Sequence, residues 1–229
     1  MPAGPTIQRM FAEVADGYDR ANRVLSLGVD QHWRRRAIAV AALRAGERIL
    51  DVCAGTGDLA LLMARHGARV AGADFCAPML RHARRKAAAL PAAPRFVAGD
   101  ALALPFADAA FDLCTVAFGI RNVEDPVAAL REMARVTRPG GRVVVLEFCR
   151  PRVPVFAHAY LFYFRRVLPA LGRWISGASN GAYRYLPDSV MAFPERAAFL
   201  ELMARAGLRT PRQVILSGGI AALYRGEVG

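Results

Sequence analysis

Short apolar runs alternate along the chain with stretches whose apolar residues recur at helical spacing. From Glu47, the sequence ERILDVCAGTGDLALLMARHG is typical of a strand, a glycine-rich turn and a helix. The sequence ARVAGADFCAPMLRHARRKA repeats this order, with a strand that ends near Asp74 and a helix that begins near Pro78. Strands that alternate with helices predict a mostly parallel sheet with helices on both faces.

The second half continues this alternation and then changes direction. RFVAGDALALPF and FDLCTVAFGI have strand character. Asp125-Pro126 begins a helix that Pro139-Gly140-Gly141 closes, ahead of the strand RVVVLEF. The last candidate strands, at 212–216 and 221–225, are separated by Ser217-Gly218-Gly219, which is typical of a hairpin turn. We therefore expect an antiparallel pair to close the sheet.

Two segments fall outside the alternation: residues 1–45, which read as helical, and residues 151–194. A chain of 229 residues suffices for one α/β domain and is short for two, so we expect a single domain over 1–229. We interpret 1–45 as an N-terminal lid and 151–194 as an insertion that faces the substrate or a membrane.

Composition narrows the class of protein. With 55% hydrophobic residues, the chain predicts a well-buried core. Its first residues lack the basic start and apolar run of a secretory signal, so we expect a cytoplasmic protein, with peripheral contact at the inner membrane face as one option. The four cysteines have no CxxC spacing, and we predict no metal site.

The net charge of +12 favours an anionic partner, such as a membrane face or nucleic acid. Lys86 is the only lysine, and this bias towards arginine is equally typical of a GC-rich coding sequence. We predict no nucleic-acid partner, because the aromatic residues cluster in one apolar segment and do not alternate with a basic stripe.

Candidate ligand-binding residues gather where the first strand of the repeat meets its helix. Gly55 and Gly57 allow a ligand to approach the backbone, at the edge where a parallel sheet has its ligand crevice. Asp74 ends the next strand, where a carboxylate can accept the hydrogens of two ribose hydroxyls. Gly55, Gly57 and Ala60 also fit G-x-G-x-x-A, so a dinucleotide site is an alternative.

Acidic residues around this turn favour S-adenosyl-L-methionine over a dinucleotide. Asp51 and Asp58 suit a sulfonium and an amino group, and they would repel a pyrophosphate. Gly99-Asp100-Ala101 follows the third strand, where an acid and adjacent backbone can meet the adenine amine. The ordered set resembles the class I S-adenosyl-L-methionine-dependent methyltransferases, and this resemblance implies a Rossmann-like sheet of seven strands.

Narrower motifs run along most of the chain. They are Tyr18-Asp19 with Asn22 and Trp33, LDVCAGTGD, DFCAPML, FGIRN, RPGGRVVVLEF and Tyr185-Leu186-Pro187-Asp188-Ser189. With them the chain resembles the ubiquinone/menaquinone biosynthesis C-methyltransferase family. The resemblance implies methylation of a ring carbon of a polyprenyl quinol, demethylmenaquinol above all. The alternative is a class I methyltransferase that acts on another phenolic or polyketide compound.

The resemblance also implies roles for individual residues. A family cofactor contact that is often serine falls on Ala117, which has no hydroxyl, and Asp30 stands where the family tends to have histidine. The complete set of predicted cofactor-binding residues is Asp51, Gly55, Thr56, Gly57, Asp58, Asp74, Asp100, Ala101 and Ala117.

The predicted catalytic residues are Arg121, Asn122 and Tyr18. Arg121 and Asn122 follow an apolar strand at its ligand-facing end, where a fixed cation would lower the pKa of a quinol and an amide would orient it. The structural alternatives are an arginine that caps a helix or forms a surface salt bridge, and a tyrosine that only packs within the lid. We identify no general base from the sequence.

Residues 153–175 gather aromatic side chains beside arginines, including Arg165, Arg173 and Trp174. The uninterrupted apolar run is about half of the ~20 residues that a spanning helix needs. We expect an amphipathic helix that lies at a membrane interface or forms the entrance for a polyprenyl tail, with a core-packing helix as an equal alternative. The oligomeric state is left open, and a homo-oligomer is among the options.

Overall fold

One seven-stranded sheet organises the chain, which a computed structural model describes over residues 4–167 and 181–229. The strands are β1 (Arg48–Val52), β2 (Arg69–Asp74), β3 (Arg95–Ala98), β4 (Phe111–Ala117), β5 (Thr137–Phe148), β6 (Arg209–Leu216) and β7 (Ala221–Glu227). Their order is β3-β2-β1-β4-β5-β7-β6. The first five strands in this order are parallel, whereas β7 pairs antiparallel with β5 and β6. The predicted sheet and its terminal hairpin are confirmed.

The helices follow the predicted alternation. They are α1 (Gly4–Val14), α2 (Tyr18–Leu25), α3 (Val29–Ala41), α4 (Asp58–Arg65), α5 (Ala77–Ala87), α6 (Pro126–Val136), α7 (Pro154–Phe162), α8 (Gly181–Ala192) and α9 (Ala197–Arg205). A π-helical turn (Tyr163–Val167) continues α7, and a 3-10 turn (Ile120–Asn122) follows β4. Helix α6 begins as predicted because the Asp125 side chain accepts hydrogen bonds from two N–H groups of its first turn.

Both faces of the sheet are buried under helices, as a parallel sheet requires. One face packs against α6 and α9, and its cluster includes Leu130, Met133, Phe199, Met203 and Tyr224. The other packs against α3, α4 and α5, and its cluster includes Trp33, Ile49, Leu59, Leu80 and Leu223. The two clusters fix the positions of the strands. The site lies at the carboxyl ends of these strands.

The turn Pro139-Gly140-Gly141 lies within β5, although the sequence predicted it ahead of the strand. The pairing of β4 with β5 shifts register between Phe111 and Leu113, so the turn forms an irregularity inside a longer strand. Gly140 has φ +72°, and a Cβ on Gly141 would lie 2.6 Å from the Thr137 side chain. Both glycines are therefore required by the backbone.

The two segments outside the alternation meet at one end of the sheet. Helices α1, α2, α8 and the turn after α7 share an apolar cluster that includes Val14, Ala21, Leu25, Phe164 and Val190. This contact joins the N-terminal segment and the 151–194 segment into one cover above the glycine-rich turn. In the described part of the chain, no helix is long and apolar enough to span a bilayer.

Candidate active site

The glycine-rich turn between β1 and α4 uses its two glycines differently. Gly55 has φ +55°, and a Cβ added to it would meet nothing within 4 Å. Gly57 has φ +82°, and a Cβ there would lie 2.8 Å from the Phe96 ring. Gly55 therefore leaves open space for a ligand, whereas packing against β3 also requires a glycine at position 57.

Asp74, at the end of β2, is held by the same turn. Its Oδ2 accepts the N–H of Gly55 at 2.8 Å, and its Oδ1 accepts the N–H of Cys76 at 2.8 Å. Burial raises the pKa of the carboxyl, and the two N–H groups partly offset that rise. The carboxylate keeps free lone pairs in a fixed orientation, because a carboxylate can accept about four hydrogen bonds.

A first cavity of about 310 Å³ opens beside Asp74. Its lining combines predicted residues at the carboxyl ends of the strands with residues from α1: Gly55, Asp74, Gly99, Asp100, Ala101, Ala117, Gln8 and Phe11. Gln8 Nε2 donates to the carbonyl oxygen of Phe75 at 2.6 Å, which holds α1 over the cavity. Sequence reasoning did not identify Gln8 or Phe11, since only tertiary packing brings α1 to this edge.

A second cavity of about 160 Å³ also borders the glycine-rich turn. Its lining is rich in aromatic residues from distant segments: Trp33, Phe118, Phe148, Tyr160, Tyr163, Phe164 and Tyr185. The two cavities share the lining residues Phe11, Tyr18, Cys53, Gly55, Ala117 and Phe118. They therefore adjoin at one wall.

Asp51 is buried in the wall of the second cavity. Burial raises the pKa of its carboxyl to about 7, and a hydrogen bond from Thr115 Oγ1 at 2.8 Å opposes the rise. A carboxyl with this pKa changes charge near neutrality, so a cationic ligand would be bound best by its ionised form.

Thr56 and Asp58, both predicted cofactor contacts, are linked to Asp19 of the cover, Thr56 directly and Asp58 through Lys86 of α5. Lys86 Nζ lies 2.6 Å from Asp19 Oδ2 and 2.5 Å from Asp58 Oδ1, and Thr56 Oγ1 donates to Asp19 Oδ1 at 2.5 Å. Because Asp19 belongs to α2, this network ties the N-terminal helices to the glycine-rich turn. Sequence reasoning did not predict it, since Lys86 lies 67 residues from Asp19.

Arg121 is buried in an ion pair that the sequence did not reveal. Its Nη1 donates to Glu147 Oε1 at 2.9 Å and to the Phe118 carbonyl oxygen, and its guanidinium lies 5.3 Å from the Phe148 ring centroid. The alternative of a surface salt bridge is wrong, because Arg121 is only 5% exposed. Among the described residues, the buried Nε of Arg121 has no hydrogen-bond partner.

The predicted catalytic residues divide between the two cavities. Tyr18 lines both, Arg121 lines the second, and Asn122 lines the first. Burial raises the pKa of the Tyr18 phenol. The buried Oδ1 of Asn122 has no hydrogen-bond partner within residues 4–167 and 181–229. These groups surround the wall that the cavities share.

Helix α7 differs from the predicted amphipathic helix. Pro154–Phe162 contains no arginine, lysine or acidic residue, and apart from His158 its exposed residues are apolar. Val155 and Phe162 are 84% and 66% exposed, whereas Phe164 in the following turn is buried. The helix is therefore only partly covered by the rest of the protein. Of the residues named with it, Arg173 and Trp174 lie outside the described residues, as does the Arg165 side chain.

Comparison with known proteins adds information about family and fold. The sequence profile of the ubiE/COQ5 methyltransferase family matches residues 3–227. A demethylmenaquinone methyltransferase of Thermus thermophilus is 53% identical over 220 residues, which are 95% of this chain and 99% of that protein. A ubiquinone/menaquinone biosynthesis C-methyltransferase UbiE of Bdellovibrio bacteriovorus is 46% identical, over 99% of this chain and 97% of that protein.

Solved structures with low sequence identity share the fold. A Thermotoga maritima S-adenosyl-L-methionine-dependent methyltransferase superposes with a TM-score of 0.69 at 19% identity, over 96% of this chain and 99% of that one. One from Methanococcus maripaludis has a TM-score of 0.64 at 16% identity, over 93% and 91%. The predicted class I methyltransferase fold is confirmed.

Proposed function

Because the chain belongs to the ubiE/COQ5 methyltransferase family, we propose that it methylates a ring carbon of a polyprenyl quinol, with demethylmenaquinol as the principal candidate. The protein is an S-adenosyl-L-methionine-dependent methyltransferase. Relatives are named for both menaquinone and ubiquinone biosynthesis, and the 53% identical relative is named for demethylmenaquinone alone. That identity favours a naphthoquinol over a benzoquinol.

The observation that carries the proposal is the shared wall of the two cavities. The first cavity suits the nucleoside of the cofactor, because Gly55 faces open space and the Asp74 carboxylate is fixed at its side. The second suits a flat aromatic ring, because aromatic side chains line it. Two reactants held in contact at a wall of Tyr18, Ala117 and Phe118 react faster, since orientation supplies much of the barrier reduction.

We assign cofactor binding to the residues predicted from the sequence. Asp74 would accept hydrogen bonds from ribose hydroxyls, and Asp100 and Ala101 would border the adenine. Asp51 lines the second cavity, so the amino group of the cofactor would extend past the shared wall to pair with its ionised carboxylate. Bound S-adenosyl-L-methionine supplies an electrophilic methyl group on a sulfonium. Thr56 and Asp58 would contribute through the network that closes α2 over the turn.

Arg121 lines the second cavity and Asn122 lines the first, and each has a buried polar atom without a partner among the described residues. A quinol oxygen beside Arg121 Nε would lose its proton more readily, because the guanidinium stabilises a phenolate. Negative charge on that oxygen raises electron density on the adjacent ring carbon, which then attacks the methyl group. Asn122 and Tyr18 would orient the reactants at the shared wall. Aromatic side chains exclude water from the second cavity and strengthen these interactions.

The polyprenyl tail would leave through the mouth of the second cavity into an anionic membrane face. Tyr163 Oη donates to the Leu25 carbonyl oxygen at 2.7 Å, so α2 and the turn after α7 are adjacent at this mouth. Exposed apolar side chains flank it on both sides: Val24, Leu27 and Val29 on one, Val155 and Phe162 on the other. Apolar groups beside arginines are the features by which peripheral proteins bind anionic lipid.

Vesicle flotation tests the membrane contact. The variant Leu27→Ser with Phe162→Ser should float less with vesicles of phosphatidylglycerol, because it loses two exposed apolar groups. The control Ile215→Ser removes an apolar group that is 37% exposed on β6, and it should float like the unaltered protein. Equal flotation of both variants would contradict the assignment of this surface.

Transfer of a labelled methyl group tests the substrate. Purified protein with methyl-labelled S-adenosyl-L-methionine should label chemically reduced demethylmenaquinone, and the unreduced quinone should stay unlabelled because its ring carbon is electron-poor. A benzoquinol precursor is the matched competitor. Cells that lack the gene should accumulate the demethylated quinone. Labelling of an unrelated phenol, with both quinols unlabelled, would refute the proposal.

A further inference from the structure

Arg34, in α3, is a buried arginine that lines the second cavity. It is 9% exposed, and its Nη1 donates to Asp30 Oδ2 at 2.5 Å. Its guanidinium carbon lies 5.7 Å from the centroid of the Phe118 ring, which belongs to the wall between the two cavities. The positive charge of Arg34 therefore lies inside the site and close to that wall.

The ion pair with Asp30 does not use all the donors of Arg34. Asp30 is 5% exposed and also accepts from Ser26 Oγ at 2.8 Å and from Gln31 Nε2 at 3.1 Å, so three side chains satisfy its carboxylate. Within the described part of the chain, the buried Nε of Arg34 has no hydrogen-bond partner. A guanidinium has five N–H donors, so Arg34 can pair with a second carboxylate while it keeps Asp30.

S-adenosyl-L-methionine carries an anion that the acidic residues of the site cannot neutralise. Its amino acid end has an ammonium and a carboxylate on the same carbon, and the proposed function places the ammonium beside Asp51 in the second cavity. A buried carboxylate without a cation is strongly unfavourable. Among the described residues that line this cavity, the cations are Arg34 and Arg121, and Arg121 is paired with buried Glu147.

The charge of Arg34 acts on the same part of the cavity as Asp51. Burial raises the pKa of Asp51 to about 7 against opposing influences that include the Thr115 hydrogen bond and the Arg34 charge. Burial also raises the pKa of Tyr18, and the Arg34 charge is among the influences that oppose this rise. The two charges of an amino acid group placed there would each meet an opposite charge.

We propose that the Arg34 guanidinium binds the carboxylate of S-adenosyl-L-methionine, an inference that rests on the cofactor orientation in the proposed function. Asp30, at the position where the family tends to have histidine, holds the guanidinium in place. It acts through Arg34, so it is a positioning residue. Arg34 makes the site specific for nucleosides that carry a complete amino acid group.

Decarboxylated S-adenosylmethionine tests this contact in the unaltered protein. The analogue keeps the nucleoside, the sulfonium and the ammonium, and it lacks only the carboxylate. By calorimetry, we expect S-adenosyl-L-methionine to bind about 30-fold more tightly than the analogue, because the analogue loses a buried charged hydrogen bond. Equal affinity for the two ligands would overturn the proposal.

The variant Arg34→Gln tests which residue is responsible. It should raise the Kd of S-adenosyl-L-methionine about 30-fold and should not weaken binding of the analogue, which has no carboxylate to lose. Because this change leaves buried Asp30 without its cation, the double variant Asp30→Asn with Arg34→Gln removes both charges and should give the same result. Arg35→Gln, at an exposed position of α3, is the control and should bind both ligands like the unaltered protein. An equal loss of affinity for both ligands would show a structural role and overturn the proposal.

The ligand comparison is independent of the quinol, which separates this inference from the proposed function. If the unaltered protein distinguishes the two ligands and labels neither quinol, the role of Arg34 stands and the proposed substrate is refuted. If it labels demethylmenaquinol and binds the two ligands equally, the role of Arg34 alone is refuted.

Discussion

The glycine-rich turn and the segment after β4 that contains Arg121 and Asn122, here called the corner, are neighbours in the site and are built differently. Polar side chains of the turn are already paired: Asp74 with two backbone N–H groups, and Thr56 and Asp58 with the α2 network. At the corner, Arg121 and Asn122 bury polar atoms that no described residue satisfies. Under the proposed function, the turn would be preformed for the cofactor, while the corner would keep its unpaired groups for the reacting molecule.

Removing the charges of the corner should have the largest effect. Replacing Arg121 and Glu147 together by glutamine avoids a buried carboxylate without a partner and keeps a hydrogen bond between the two positions. We expect turnover to fall at least about 100-fold, because the developing phenolate loses its cation. The cofactor Kd, measured by calorimetry, should stay within about twofold, since the cofactor residues lie at the turn. Unchanged turnover would remove Arg121 from the mechanism.

Asp51, in β1 just before the turn, should make cofactor binding depend on pH. Because burial raises the pKa of Asp51 to about 7, the carboxyl is largely protonated below that pH and must lose its proton to pair with a cationic ligand. Affinity for S-adenosyl-L-methionine, measured by calorimetry, should therefore rise with pH, by about tenfold for each unit below 7, and level off above it. Asp51→Asn should bind more weakly and with a flat profile, and the unaltered protein gives the reference slope. A variant that keeps this slope would show that another group titrates.

The smallest expected effect is at the link between the turn and its cover. Lys86→Met removes the cation between Asp19 and Asp58. Because these groups are partly exposed, we expect the contact between α2 and the turn to lose about 1 kcal/mol of stability. Amide exchange in α2 should accelerate a few-fold, and exchange in α9 should not change. The neighbouring variant Arg85→Met is the control. Equal exchange in α2 for both variants would mean that Lys86 does not hold the cover.

The same contrast explains what could be predicted from the sequence. Gly55, Asp74 and Asp100 follow predicted strands, so strand order alone brought them to one edge. Glu147 lies 26 residues after Arg121 on a strand read only as apolar, and nothing local marked it as the partner. Residues from α1 and α7 also came from outside the repeat. Their positions depend on packing between distant segments, which local patterns do not encode.

A crystal structure with S-adenosylhomocysteine and a naphthol would test the central claim directly, namely that donor and ring meet where the two cavities join. We expect the nucleoside beside Asp74, the sulfur at the wall formed by Ala117 and Phe118, and the naphthol oxygen next to Arg121. A naphthol found away from the second cavity, or a nucleoside outside the first, would contradict the account.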